Sequence, residues 1–168
     1  MPFTVYQASI PVFLHSLGQL SKILDKAANH AETLKFDPSI LLSARLAPDM
    51  YPLSRQIQVA SDTAKGAGAR LAGVEVPSFP DNETSFAELQ ERIAKTAAFL
   101  RGLDPTAFEG AAEREVILKF PNGEMKFAGA EYLSYFALPN FYFHAVTAYD
   151  ILRHNGVAIG KMDFMGGR

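Results

Sequence analysis

The sequence contains no cysteine, which excludes disulfides, thiolate metal sites and thiol nucleophiles on this chain at once. It is compatible with a cytoplasmic setting, the compartment expected here. Blocks of like charge are also missing. Sixteen basic residues oppose eighteen acidic ones, a net charge of -2, so there is no electrostatic footprint for a phosphate backbone and nucleic acid is not expected as a partner. The opening stretch "MPFTVYQASIPVFLHSLGQLSKILDKA" has neither a basic leader nor a small-residue cleavage site and is not read as a signal peptide. The most apolar segment, 132 to 149, is interrupted by Pro139, Asn140 and His144, so no membrane association is expected. No serine sits in a nucleophile elbow. "AKGAGARLAG" places glycines within a helical pattern with no preceding strand, which is not a phosphate loop.

What is present is enough for a core. A chain of 168 residues that is 48% hydrophobic predicts one domain spanning 1-168. Apolar residues at Ile10, Phe13, Leu14, Leu17, Leu20, Leu24 and Ala27 predict a long amphipathic helix over 3 to 31, with Pro11 kinking it or marking its true start. A long connection follows, with one helical turn at Pro38 to Leu42. Leu53, Ile57, Ala60, Ala64 and Ala67 mark a second long helix, with Asp49 as its N-cap, Pro52 in its first turn and Gly73 at its end. Its small residues allow another helix to approach closely. After the proline-punctuated linker "VEVPSFPDNETS", Thr84 or Ser85 with Glu88 forms a capping box for a third helix, with a stripe of Phe86, Leu89, Ile93, Thr96, Ala97 and Leu100. From Arg114 to Phe127 the period changes to that of strands around Asn122-Gly123, a hairpin signal. A fourth helix covers Ala130 to Asn155, bent at Pro139. The fold class expected is all-α: a four-helix bundle with a long first crossover and a small β-hairpin inserted before the last helix.

The residues that carry chemistry lie on that last helix. In "PNFYFHAVTAYDILRHNG", Asn140, His144 and Thr147 share the inward stripe with Leu133, Phe136, Ala137, Ala148 and Ile151. Asn140 and His144, at i and i+4, form a candidate pair of metal ligands, although an amide is a poor ligand for zinc or nickel. Alternatively, His144 is a core histidine bonded to Asn140 or to an acid from another helix. Asp49 and Gln56, from the second helix, complete the candidate pocket; Asp49 either caps its helix or orients His144. Gln56 is expected at the edge of its stripe, partly exposed. His15, His30 and His154 are expected at the surface. Tyr132, Tyr135, Tyr142, Tyr149, Phe141 and Phe143 are expected on the other faces of the last helix, which points to a homodimer contact.

The order of elements, with "RLAPDMYPLSRQIQ", "LPNFYFH", "AYDILRHNGV" and "IGKMDF", resembles an uncharacterised bacterial and fungal family, a domain of unknown function within the DinB/YfiT-like superfamily. The resemblance runs over nearly the whole chain. It implies the four-helix bundle and a divalent metal held by three histidines, one on the second helix and an H-x-x-x-H pair on the fourth, in metalloenzymes that include thiol-dependent transferases and isomerases. Counting back from Leu152-Arg153, the pair falls on Asn140 and His144, so one histidine matches and the other is replaced. No histidine lies between His30 and His144, so the ligand of the second helix has no counterpart. The two expectations are therefore a dimeric bundle with a degenerate metal site, whose small-molecule ligand is unknown, and a metal-dependent or histidine-based enzyme with a pocket around His144.

Overall fold

The computed structural model describes residues 3–167. It is mostly helical, with one small antiparallel sheet. Helix α1 (Val5–Leu34) starts at Thr4, whose side chain accepts from the Gln7 amide while Gln7 accepts from the Thr4 amide, a capping box that partners two otherwise orphaned donors. Pro11 lies inside α1 without ending it. A short helix, α2 (Ser39–Ser43), interrupts the crossover. Helix α3 (Leu53–Ala72) begins after Pro52 and stops at Gly73, whose φ of 70° is left-handed, a conformation glycine adopts without steric penalty. Helix α4 (Phe86–Arg101) carries the expected capping box from Ser85 and Glu88.

A 3₁₀ turn (Pro105–Phe108) leads to strands β1 (Glu115–Phe120) and β2 (Gly123–Ala128), paired from Glu115 with Ala128 to Phe120 with Gly123. The two loop residues are thus Pro121 and Asn122, and Gly123 opens β2 instead of sitting in the turn. Val116 and Leu118 face inward while Glu115, Ile117 and Lys119 face out, the alternation of a ribbon with one packed side. The last long helical stretch is three segments in line: α5 (Gly129–Glu131), a π-helical segment (Tyr132–Ala137) and α6 (Leu138–His154). Pro139 has no N–H and its ring would crowd the carbonyl four residues back. The wider π segment ends two residues before it, and the Leu138 N–H reaches Leu133 O, five residues back.

Helices α1, α3, α4 and α6 pack on one another around the core, with α3 and α6 facing each other along much of their length. Gly68 marks a close approach between elements: a Cβ there would meet Leu100 Cδ2 at 2.6 Å and Leu103 Cδ1 at 3.0 Å. A C-terminal helix not apparent in the sequence, α7 (Lys161–Met165), lies on α1. His15 Nε2 is 2.9 Å from Met165 O, Lys26 pairs with Asp163 at 2.6 Å, and Phe164 meets the ring of Tyr149 edge to face. The described chain thus has shorter helices beyond the four long ones.

Candidate functional site

The predicted polar stripe of α6 exists, and it is answered by a polar stripe on α3. His144 Nδ1 is 2.7 Å from Gln56 Oε1, Asn140 Nδ2 donates to Thr63 Oγ1 at 3.2 Å, and Arg70 Nη1 donates to Tyr132 Oη at 3.3 Å. The α3 members are seven residues apart, two helical turns or about 10 Å. These contacts are rungs between two antiparallel elements. The i, i+4 pair of α6 therefore does not converge on one point: Asn140 and His144 reach separate levels of α3.

His144 is 8% exposed and Gln56 1%. Gln56 Nε2 donates to Tyr51 O at 3.0 Å, which turns its carbonyl oxygen to the imidazole, so the network assigns the proton to His144 Nδ1 and the lone pair to Nε2. Burial, and then the charge of Arg55, hold the His144 pKa below its usual 6.5, so the ring is neutral at physiological pH. Tyr51 lies nearly parallel to the ring at 6.4 Å, Arg55 stands 5.6 Å from the Tyr51 centroid, and Phe143 presents an edge at 5.2 Å. Nε2 has no hydrogen-bond partner among the described residues and is not among their sealed, unpartnered atoms. It can accept a proton or a hydrogen bond from outside.

Two expectations about α3 are corrected. Asp49 does not cap the helix: it is exposed in a turn closed by Met50 N to Ala47 O, and the N-cap position belongs to Pro52, three residues on. Gln56 is not at an edge but fully buried, because α6 covers that side. Thr147, on α6, is buried and spends its hydroxyl on Phe143 O at 2.6 Å, within its own helix. Among the aromatics, Tyr135 and Phe143 are exposed as expected, whereas Tyr132 and Phe141 belong to the core. His15 and His154 are exposed and His30 is half-buried against Phe36.

The donors do not fit the divalent metal that the resemblance implies. A metal would find one free imidazole nitrogen, a Gln56 oxygen already bound to Nδ1 of the same ring, and an Asn140 committed to Thr63, two turns of α3 from Gln56. No group of three or more histidine, aspartate or glutamate side chains is placed to hold an ion among the described residues.

A denser polar cluster escaped the sequence reading. Arg92 of α4, with its side chain 1% exposed, meets Asp62 at 2.8 Å, Asp81 at 2.9 Å, Glu83 at 2.8 Å and Pro80 O at 3.0 Å. Asp62 also pairs with Lys65 at 2.8 Å, Asp81 with Arg55, and Gln58 Nε2 donates to Glu83 at 2.9 Å. Arg92 thereby ties the linker between α3 and α4 to both helices. The signal available was an arginine between Leu89 and Thr96 on an apolar helix, next to a linker carrying Asp81 and Glu83.

These features define a mostly helical protein with a small hairpin and a hydrogen-bonded seam between its second and fourth long helices. The chain belongs to the family described as domain of unknown function DUF1993, which matches residues 5–165. The crystal structure of a DinB family member protein from Shewanella denitrificans is 41% identical, with a TM-score of 0.91, and the match covers 98% of this chain and 93% of that one. No curated protein matches the chain.

Proposed function

We propose that this protein is a cytoplasmic homodimer with a DinB-like four-helix core in which the metal site of the superfamily has become a structural imidazole–amide rung. The observation that carries this reading is the 2.7 Å bond from His144 Nδ1 to the neutral Gln56. Gln56 comes from the second long helix, the element from which the resemblance expects a metal-binding imidazole. An amide there satisfies the buried ring instead of sharing an ion with it. For the dimer, the π segment and α6 supply an exposed apolar strip of Tyr135, Phe143 and Val146, exposed by 78%, 56% and 41%, which a second copy would cover.

Elemental analysis of protein purified without a histidine tag, before and after soaking in zinc, nickel and manganese, tests the first part. The expected result is no stoichiometric ion in any state. One ion per chain that disappears in His144→Ala would sink the reading.

A second reading, favoured by the unblocked Nε2, gives His144 a metal-free base function toward a small ligand. His144→Asn retains an N–H for Gln56 and removes Nε2. A compound that raises the melting temperature of the wild type but not of this variant would support the base function; equal shifts would remove it.

A further inference from the structure

The polar seam does not end at His144. At its other end a cavity of about 210 Å³ opens between α3, the π segment, the start of α6 and β1. Its walls include Thr63 and Arg70 from α3, Lys119 and Phe120 from the hairpin, Phe136 from the π segment, and Asn140. The groups along it are chemically one-sided.

The Arg70 guanidinium has a single protein hydrogen bond, the one to Tyr132 Oη, and no carboxylate lies within ion-pair distance of it or of Lys119, among the described residues. The one carboxylate on the wall, Asp62, is already bound by Arg92 and Lys65. Arg70 thus has no carboxylate partner at this opening among the described residues, and Lys119, on the outward side of β1 opposite Glu124, adds positive charge at its rim. Arg70 owes its position to Gly66, one turn earlier on α3: a Cβ at 66 would collide with Arg70 Nη1. The guanidinium lies in a groove that any side chain would fill.

The remaining groups are donors and aromatic faces. Because Thr63 Oγ1 accepts from Asn140, its own hydroxyl proton is free, and Asn140 keeps a free carbonyl oxygen. Tyr132 accepts from Arg70, so its phenolic proton is free as well. Phe136 stacks nearly parallel to Tyr132, at 19° and 6.0 Å, and Phe120, 46% exposed, also lines the cavity. A planar fork of N–H donors recognises a carboxylate bidentately. Aromatic walls accept a ring. The volume is below the roughly 300 Å³ at which drug-sized pockets begin, which limits the guest to a single ring.

We infer that the cavity walled by Arg70, Lys119, Phe120 and Phe136 is a binding site for a small aromatic carboxylate. The carboxylate lies on the Arg70 fork, with Lys119 adding charge and Thr63 and Asn140 reading a ring substituent. The site takes Thr63, Arg70, Tyr132 and Asn140 from the seam but neither His144 nor Gln56, and it does not depend on the function proposed for His144.

Benzoate is the first probe, with benzamide and inorganic phosphate as controls, titrated by calorimetry and by NMR with methyl labels on leucine. Benzoate is expected to saturate one site, to shift the Leu118 methyls and to bind more weakly as salt rises, whereas benzamide and phosphate bind at least about tenfold more weakly. Arg70→Gln and Gly66→Ala are each expected to weaken benzoate about tenfold or more. Lys119→Gln, at an exposed position, guards against a folding artefact and is expected to lower affinity severalfold with an unchanged melting temperature. Absence of saturable benzoate binding, shifts confined to another region, phosphate binding as tightly as benzoate, or full affinity in Arg70→Gln and Lys119→Gln would each overturn the assignment.

Discussion

Replacing Arg92 by methionine should be among the most costly single changes to a polar residue in this protein. The substitution retains an unbranched side chain of similar reach, so little cavity term enters. What is lost is the buried charge and its contacts with Asp62, Asp81, Glu83 and Pro80 O. Breaking one side of a buried ion pair costs about 3 to 5 kcal/mol when the partner charge stays buried. Here Asp62 and Asp81 keep side-chain exposures of 37% and 36% and retain Lys65 and Arg55, whereas Glu83 is only 10% exposed. The penalty therefore falls mainly on Glu83, and the expected loss is at the lower end, about 3 kcal/mol. At roughly 2 to 4 °C per kcal/mol for a chain of this size, the melting temperature should fall by about 6 to 12 °C. Urea unfolding at pH 7 and again in acid gives the assay. Burial pushes Asp81 upward, but bonds from Arg55 and Arg92 outweigh it; burial pushes Glu83 upward, but bonds from Arg92 and Gln58 outweigh it. Both folded values lie below the usual 3.8 and 4.5, so this stabilisation is complete above the unfolded values and is lost as pH falls through the folded ones. The gap between wild type and Arg92→Met should accordingly narrow below about pH 4. A gap under about 1 kcal/mol at pH 7, the level of a surface ion pair, or one that does not change in acid, would refute the reasoning.

Removing the His144 imidazole leaves the Gln56 oxygen without its donor, so His144→Ala should cost about 1 to 3 kcal/mol in urea unfolding, with a coupling of about 1 kcal/mol to Gln56→Leu in a double-mutant cycle. Unchanged stability in His144→Ala would count against the structural rung. Since the folded pKa of His144 is lowered, its neutral form contributes fully above the usual 6.5 and the contribution is lost as pH falls through the folded value; stability should decline with acidification from 6.5 down to the folded value in the wild type and less so in His144→Ala. A cross-peak titration of His144 at or above 6.5 would contradict the burial argument. Phe143→Lys places a charge in the exposed strip of α6, and sedimentation velocity should show a monomer where the wild type is a dimer; a monomeric wild type would end the dimer proposal.

The order of the long helices, the hairpin and the inward polar stripe were legible because each follows a local rule: a 3.6-residue stripe, a capping box, a switch to period two. The partners of the stripe were not. Periodicity places Gln56 at an edge because it describes one helix at a time and cannot say how wide a face its neighbour will cover. The burial of Arg92 is hidden for a related reason. A charged residue between apolar positions reads as solvated unless the linker that will neutralise it is known to return, and that return is a tertiary event. Asp49 illustrates the reverse error, a residue with strong capping preference left unused because Pro52 starts the helix three positions later.

The misplacement of Tyr132 has a more specific cause. From Tyr132 to Asn140 is eight residues, which on a regular α-helix is a rotation about 80° past two full turns, so the ring would point away from α3. The π segment at Tyr132–Ala137 takes up one extra residue within its turn. The effective interval becomes about seven residues, within roughly 20° of two turns, and Tyr132 returns to the face occupied by Asn140 and His144. That phase correction lets the Arg70 rung form, buries Tyr132 to 1% exposure and sets Phe136 against the cavity. Pro139, which the sequence alone assigns only a bend, lies two residues after the segment that makes the correction. A single inserted residue is invisible to a periodicity argument because every position on one side of it is turned by the same 100°.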